Sequence, residues 1–419
     1  MNFPINTSTS CKYKWAWSTI FLSVGDTASC HRVKPIRLNL NNFKDFHNQP
    51  KKIQDRENML QGIRPTGGCE YCFKIEDAGG KSDRQHINES IDNITPHELL
   101  TNSNLTTITP TILEIYFSNL CNMSCLYCGP YFSSVWENEY KKYGNIFNSE
   151  NDERRHWSPN KNYQEMLNLF WEWMQENGKH LRKFHILGGE PFFQPEFNDC
   201  LDYFENFPNP DCDFVIITNL MVNDIKFDYY INRLKKLVSK RKIKSLQVTA
   251  SLDCWGPQIE YIRYGLNLKQ WEKNFSKLVE MKWINLQVNH AVSCLSIKYM
   301  EELILKINDW NKKRLVYTSF MTIVDPTYMR PDIFGGEFFS QDLEKIIKIL
   351  PDNNLLESST KDYFLGIKKQ IENNTTNINE IKKLKHFLEI IDKRRNLNYI
   401  ETFPWLAKFF KDKNIGPLA

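Results

Sequence analysis

Three cysteines fall within eight residues, Cys121, Cys125 and Cys128, in the run SNL-Cys-NMS-Cys-LY-Cys-GP. The spacing is C-x3-C-x2-C, and three thiolates on one short loop can wrap one face of a metal cluster. Four thiolates normally complete a [4Fe–4S] cluster. Three leave one iron open to a small molecule, by the open-position logic that separates catalytic from structural zinc. A second set lies upstream. Cys11 and Cys30 form C-x13-G-x4-C around Gly25, which reads as two strands joined at a turn. Cys69 and Cys72 form a C-x2-C knuckle. Four ligands from a hairpin and a knuckle close a tetrahedral metal site. The remaining cysteines, Cys200, Cys212, Cys254 and Cys294, are scattered and read as small buried hydrophobes.

The bulk composition supports metal over disulfides. The start, MNFPINTSTS, lacks a basic region followed by an apolar run. The apolar stretch from Trp15 to Val24 is short and carries Ser18, Thr19 and Ser23, so it cannot span a bilayer. A soluble, cytoplasmic protein is expected, with no membrane partner, and disulfides are rare in that compartment. The 419 residues are 41% hydrophobic and 25% charged, ordinary values for a globular chain. A net charge of +4 does not point to nucleic acid. The basic tail keeps that partner open: Lys382, Lys383, Lys385, Lys393, Arg394 and Arg395 surround an apolar stripe of Ile381, Leu384, Leu388 and Ile391. A solvated helix face is the expected role of those charges.

The elements that must position the cysteines follow from periodicity. Residues 1–95 carry turn signals (Gly25-Asp26, Gly67-Gly68, Gly79-Gly80) and little helical repeat, so a metal staple is expected to hold them. Residues 92–110 read as a polar linker. From residue 111, short apolar strands alternate with helices. The strands are Thr111–Phe117, Lys183–Leu187, Asp213–Thr218, Ser245–Leu252, Asn285–Ser293 and Leu315–Ile323. The helices are Tyr163–Glu176, Phe227–Lys240, Leu268–Met281 and Met300–Asn311. Such alternation argues for an α/β fold with a parallel sheet or partial barrel. Six strands are fewer than a closed eight-stranded barrel requires.

The strand Lys183–Leu187 ends in Gly188-Gly189-Glu190-Pro191. The glycines let backbone approach a ligand closely, and a carboxylate or carbonyl there can accept hydrogen bonds from an ammonium group. Polar residues also follow the later strands: Thr218 and Asn219, Ser251 and Asp253, and Ser293. A helix N-cap or turn role is the competing explanation for each. His185 and His290, inside strands, read as satisfied core histidines.

The loop with Tyr127 in its aromatic position, followed by GGEP at a strand end, resembles the radical S-adenosylmethionine superfamily. That resemblance implies a partial (β/α)6 barrel over residues 108–330. It implies a [4Fe–4S] cluster on Cys121, Cys125 and Cys128 that binds S-adenosylmethionine. Tyr127, Gly188, Gly189, Glu190, Thr218, Asn219, Ser251, Asp253 and Ser293 would line that cofactor's site, and Arg263 could balance a carboxylate. A one-electron donor such as flavodoxin or ferredoxin would reduce the cluster. Reductive cleavage would give a 5′-deoxyadenosyl radical that abstracts hydrogen from a substrate, a peptide or protein by analogy. A small metabolite or nucleic acid is the alternative substrate. No acid, base or hydrogen donor is identified.

Cys11, Cys30, Cys69 and Cys72 resemble the auxiliary-cluster modules called SPASM and twitch. Four cysteines suit the shorter twitch version over residues 1–95 and imply a second [4Fe–4S] cluster, with zinc as the alternative occupant. Those modules usually follow the barrel, whereas this one precedes it. A helical extension over 331–419 completes the expected organisation. The competing functional class is a non-catalytic zinc-binding or electron-transfer protein, which leaves GGEP and the polar strand ends unexplained.

Overall fold

The computed structural model describes residues 3–89, 93–147, 159–350 and 355–418. Its strands are β1 (Trp17–Phe21), β2 (Asp26–Ala28), β3 (Ile36–Arg37), β4 (Ile112–Tyr116), β5 (Ser124–Cys125), β6 (Lys183–Leu187), β7 (Asn209–Thr218), β8 (Ile243–Ser251), β9 (Arg263–Tyr264), β10 (Ile284–Val292) and β11 (Tyr317–Thr322). All six strands expected from residue 111 onward form, as β4, β6, β7, β8, β10 and β11. The expected helices form as Tyr163–Asn177, Asp224–Ser239, Leu268–Glu280 and Met300–Lys313. The architecture is α/β with a mostly parallel sheet. The chain divides into two compact units.

The first unit comprises Met1–Asn119, Trp157–Ile216 and Asp228–Leu246. Its strand order is β8-β7-β6-β4-β1-β2-β3. β1 runs parallel to β4 with Trp17 opposite Ile112, and β4 parallel to β6 with Ile112 opposite Lys183. One face is apolar. Phe184 and Phe214 pack on Phe204 of the helix Glu196–Asn206, with centroids 5.5 and 5.3 Å away. The other face is polar in the middle: Thr19, Glu114 and His185 stand in one row across β1, β4 and β6. Side chains alternate across a pleat, so each strand serves both faces.

Residues 1–95 are more regular than expected. They fold into the β1–β2 hairpin and the helices Pro50–Leu60, Glu70–Asp77 and Asp83–Glu89. The first of these helices escapes an apolar scan because its buried face is Lys52, Asp55, Arg56 and Met59. The spacing is helical, but three of the four residues are charged. Within the expected linker, residue 92 lies outside the described residues and His97–Leu100 forms a short helix.

The second unit comprises Leu120–His156, Ile217–Phe227 and Gln247–Ala419. Its strands run β11-β10-β8, with Gln287 opposite Tyr317 in a parallel pair. A separate two-stranded ladder joins β5 to β9. Trp271, Phe275 and Trp310 pack the helices behind the sheet, Phe275 and Trp310 at 4.4 Å. The carboxy-terminal region is helical, and Ile381, Leu384, Leu388 and Ile391 are buried, as the stripe requires. Among the described residues no helix is long and apolar enough to cross a membrane.

Candidate metal centres

The three-cysteine loop belongs to the second unit, and backbone ladders hold it. Cys125 lies opposite Arg263 in the β5–β9 pair, and the Leu126 amide donates to the Ile262 carbonyl at 2.8 Å. The Cys128 amide closes a turn on the Cys125 carbonyl at 2.9 Å. Ser133 caps the helix Ser134–Tyr143 and donates to the Met123 carbonyl at 2.6 Å. The indole N–H of Trp136 donates to the Cys125 carbonyl at 2.8 Å. The three cysteines are part-buried and form no disulfide. Burial pushes the Cys125 thiol up, while the Arg263 and Arg395 guanidinium groups nearby favour its thiolate.

Arg395 comes from the tail helix Ile378–Arg395. It donates to the Ser124 carbonyl at 3.0 Å, pairs with Glu139 at 3.0 Å and lies over the Trp136 ring at 4.4 Å. Arg394 donates to the Gly144 carbonyl at 2.8 Å. These two arginines are therefore bound to the loop region rather than solvated, a correction to the reading of the basic tail. Lys393 is exposed, as expected.

Tyr127, Asp253 and Arg263 form one buried network. The Tyr127 hydroxyl donates to Asp253 Oδ2 at 2.6 Å and accepts from Arg263. Asp253 Oδ1 accepts from the Ala291 amide at 2.9 Å. Burial raises the Tyr127 phenol well above its usual range, so it stays a donor. Burial opposes the charge of Arg263, but Asp253, Tyr127 and Cys125 outweigh it and hold the guanidinium protonated.

The polar strand ends are placed as follows. The Thr218 hydroxyl accepts from the Leu220 amide at 2.9 Å. The Asn219 amide nitrogen stands 2.8 Å from Asn122 Oδ1 and 3.9 Å from the Cys121 sulfur. Leu220, fully buried at φ +61°, occupies a left-handed conformation rare for a branched residue. Such strain persists only where surroundings enforce it. Here Asn274 does so, donating to the Leu220 and Val222 carbonyls at 3.0 and 2.9 Å. Ser251 ends β8, part-buried. Ser293 is buried in a turn, its amide donating to the Ser296 Oγ at 2.9 Å. His290 is a core histidine: it bonds the Leu252 carbonyl and stacks on Phe320, and burial lowers its pKa to about 4.

Gly188, Gly189 and Glu190 lie in the first unit, at the end of β6. Gly188 has φ +124°, and a Cβ there would stand 2.9 Å from the Ser118 carbonyl. The Gly189 amide donates to that carbonyl at 3.2 Å. Glu190 is fully buried and caps the following turn by accepting from the Phe192 amide at 3.2 Å.

The four amino-terminal cysteines also lie in the first unit and are close electrostatic neighbours. Cys11 precedes a short helix and packs with Trp15, Met59 and Cys69 in one apolar cluster. Gly68, at φ +124°, brings the knuckle against the Cys30 loop, its ideal Cβ position only 2.2 Å from the Arg32 carbonyl. The Arg32 amide donates to the Cys30 sulfur at 3.4 Å. Burial and then the Cys30 thiol push Cys11 up to about 12. Burial also raises Cys30 and Cys69, with Lys14 acting in the opposite direction on both. All four thiols are free.

Both sets offer a sulfur-rich donor chemistry that suits a thiolate-bound metal centre. Among the described residues, no three His, Cys, Asp or Glu side chains stand close enough to share a single metal ion. The scattered Cys200, Cys212, Cys254 and Cys294 are fully buried, as small hydrophobes should be.

Several residues around these sites carry no sequence signal of their own. Arg395 and Glu139 are far apart in the chain. Glu114 looks like an error in an apolar strand, yet its buried carboxylate accepts from Thr19 at 2.9 Å and lies 3.5 Å from His31 and 3.8 Å from His185. His185 is thus a partner of a buried carboxylate, which refines its reading as a core residue.

Neither a protein-family model nor a curated protein sequence matches the chain. Among solved structures, it superposes on Streptococcus suis SuiB with TM-score 0.37 and 16% identity, covering 85% of this chain and 68% of that one. It superposes on TYW1 with a lysine-pyruvate adduct bound at TM-score 0.30 and 15% identity, covering 58% and 71%.

Proposed function

We propose that the chain is a radical S-adenosylmethionine enzyme whose Cys121, Cys125 and Cys128 hold a [4Fe–4S] cluster with one open iron. The observation that carries this reading is the loop itself: three cysteines within eight residues, pinned by β9, Trp136 and Arg395. When bound, the cluster and S-adenosylmethionine supply one-electron cleavage of the sulfonium bond and a 5′-deoxyadenosyl radical.

The chain's own residues do the rest. Arg263 and Arg395 place positive charge beside Cys125 and favour its thiolate. Asn219 offers a side-chain N–H near Cys121 and fixes Asn122 on the same loop. Tyr127 ties the loop to Asp253 at the end of β8. Asp253 is saturated by Tyr127, Arg263 and the Ala291 amide, so its role is to orient the loop. Ser251, part-buried, is the better candidate in that strand for a ribose hydroxyl.

In this reading the parallel strands form the partial (β/α)6 barrel, and Cys11, Cys30, Cys69 and Cys72 hold a twitch-like auxiliary cluster. A flavodoxin or ferredoxin donates the electron, and a peptide or protein is the substrate. The test is anaerobic reconstitution with iron and sulfide, followed by reduction in the presence of S-adenosylmethionine. Release of 5′-deoxyadenosine is expected. A fully loaded protein that releases none contradicts the proposal.

A further inference from the structure

The amino-terminal segment buries Lys14, Lys52 and Arg56 around one carboxylate, Asp55. Lys14 is nearly sealed, with 3% of its side chain exposed, and pairs with Asp55 at 2.6 Å. Lys52 is buried and donates to the Ser18 and Thr27 hydroxyls at 2.9 and 2.8 Å and to the Ala28 carbonyl at 3.2 Å. Arg56 is fully buried and donates to the Thr106 and Lys14 carbonyls at 2.7 and 3.0 Å and to Asn48 at 2.9 Å. Among the described residues, Asp55 is the only carboxylate in an ion pair with any of these three cations, and it is shared with the half-exposed Lys51. Burial, then the neighbouring Arg56 and Lys14, push the Lys52 ammonium well below the usual lysine range, so Lys52 adds little charge here.

Lys14 also stands beside the cysteines. Its amide donates to the Cys11 carbonyl at 2.9 Å, and its charge acts on the Cys11, Cys30 and Cys69 thiols. The Lys52 ammonium bonds the Ala28 carbonyl, two residues before Cys30. Other charges at this end are already matched: Arg84 is bonded to Glu76 through Nε at 3.0 Å, and the part-exposed Arg32 pairs with Asp83 at 3.7 Å. His31 leans toward Glu114.

We infer that Lys14 is the built-in counter-charge of an anionic tetrathiolate centre on Cys11, Cys30, Cys69 and Cys72. Four thiolates around a 2+ cluster core leave a net charge of −2, and a buried ammonium against one of the sulfurs favours the more negative, reduced state. Lys14 is thus a positioning residue that raises the potential of the auxiliary cluster. The inference rests on the auxiliary-cluster reading above.

The experiment uses the full chain carrying alanine at Cys121, Cys125 and Cys128, so that only the amino-terminal site is read. Metal content and an EPR-monitored redox titration are compared for this background, Lys14→Met, Lys14→Arg and Asp55→Asn. About four irons are expected in the background. Lys14→Met should move the midpoint potential downward, Asp55→Asn upward, and Lys14→Arg should leave it near the background. If Lys14→Met cannot hold the cluster while Lys14→Arg can, charge is again the determinant. Equal potentials in all variants with iron retained overturn the inference, as does equal loss of iron in Lys14→Met and Lys14→Arg. Zinc without iron, or no metal, in the background overturns the auxiliary-cluster reading itself, and that result is distinct from an unmoved potential.

Discussion

At Gly188 a methyl group has nowhere to go. The ideal Cβ position is 2.9 Å from a backbone oxygen, and φ is +124°. Gly188→Ala should therefore destabilise the fold by about 1–3 kcal/mol, read as a lowered urea midpoint with an unchanged slope. Gly68→Ala meets the Arg32 backbone even more closely and should loosen the Cys69 knuckle, read as lost metal at the proposed amino-terminal site. Both glycines were visible in the sequence, as the GGEP motif and the Gly67-Gly68 turn signal. The residues that were not visible are those whose partners are distant in the chain. Asp253 illustrates the difference: its place after a strand was legible, but its saturation by Tyr127, Arg263 and the Ala291 amide was not. Nothing in a local window tells a carboxylate that binds ligand from one that braces a loop.

Strands and helices from residue 111 onward were legible because their buried residues are apolar and their periods differ. The helix Pro50–Leu60 was not, because Lys52, Asp55 and Arg56 occupy its inward face. The tail helix was half legible. Its apolar stripe was plain, but its last arginine turns out to hold the three-cysteine loop through the Ser124 carbonyl, while Arg394 bonds the Gly144 carbonyl at the end of the next helix. Arg395→Ala leaves the part-buried Glu139 with a weaker partner and frees the Ser124 carbonyl. Removing one member of such a buried pair costs about 3 kcal/mol. The expected outcome is faster proteolysis within the loop and weaker retention of iron after reconstitution, with Arg395→Lys restoring only part of either. A variant as resistant as the parent would show that the loop holds itself.

Among the described residues, two buried histidines respond to acid. His47 accepts from Ser18 at 2.8 Å, bonds the Trp15 carbonyl at 3.0 Å and is held well below the usual histidine range by burial and then by Arg56 and Lys52. His290 falls to about 4 through burial. Both stay neutral in the fold but take up a proton near pH 6.5 when unfolded, so their contribution is complete above that pH. It is lost as pH falls from about 6.5 toward 4, by up to about 3 kcal/mol for His290. Denaturation midpoints measured across that window should fall with pH, and His290→Gln should flatten part of the slope. A pH-independent midpoint would contradict the assignment of these two groups. The cysteines divide at the same scale: four are fully buried packing residues, and seven fall into two sets with no disulfide. Two [4Fe–4S] clusters on those sets require about eight irons per chain. The most direct test of the central claim is reductive cleavage itself. The anaerobically reconstituted, reduced protein should release 5′-deoxyadenosine from S-adenosylmethionine, and Cys125→Ala should release none. Equal release from both proteins, or none from a parent carrying its full iron, would contradict the claim.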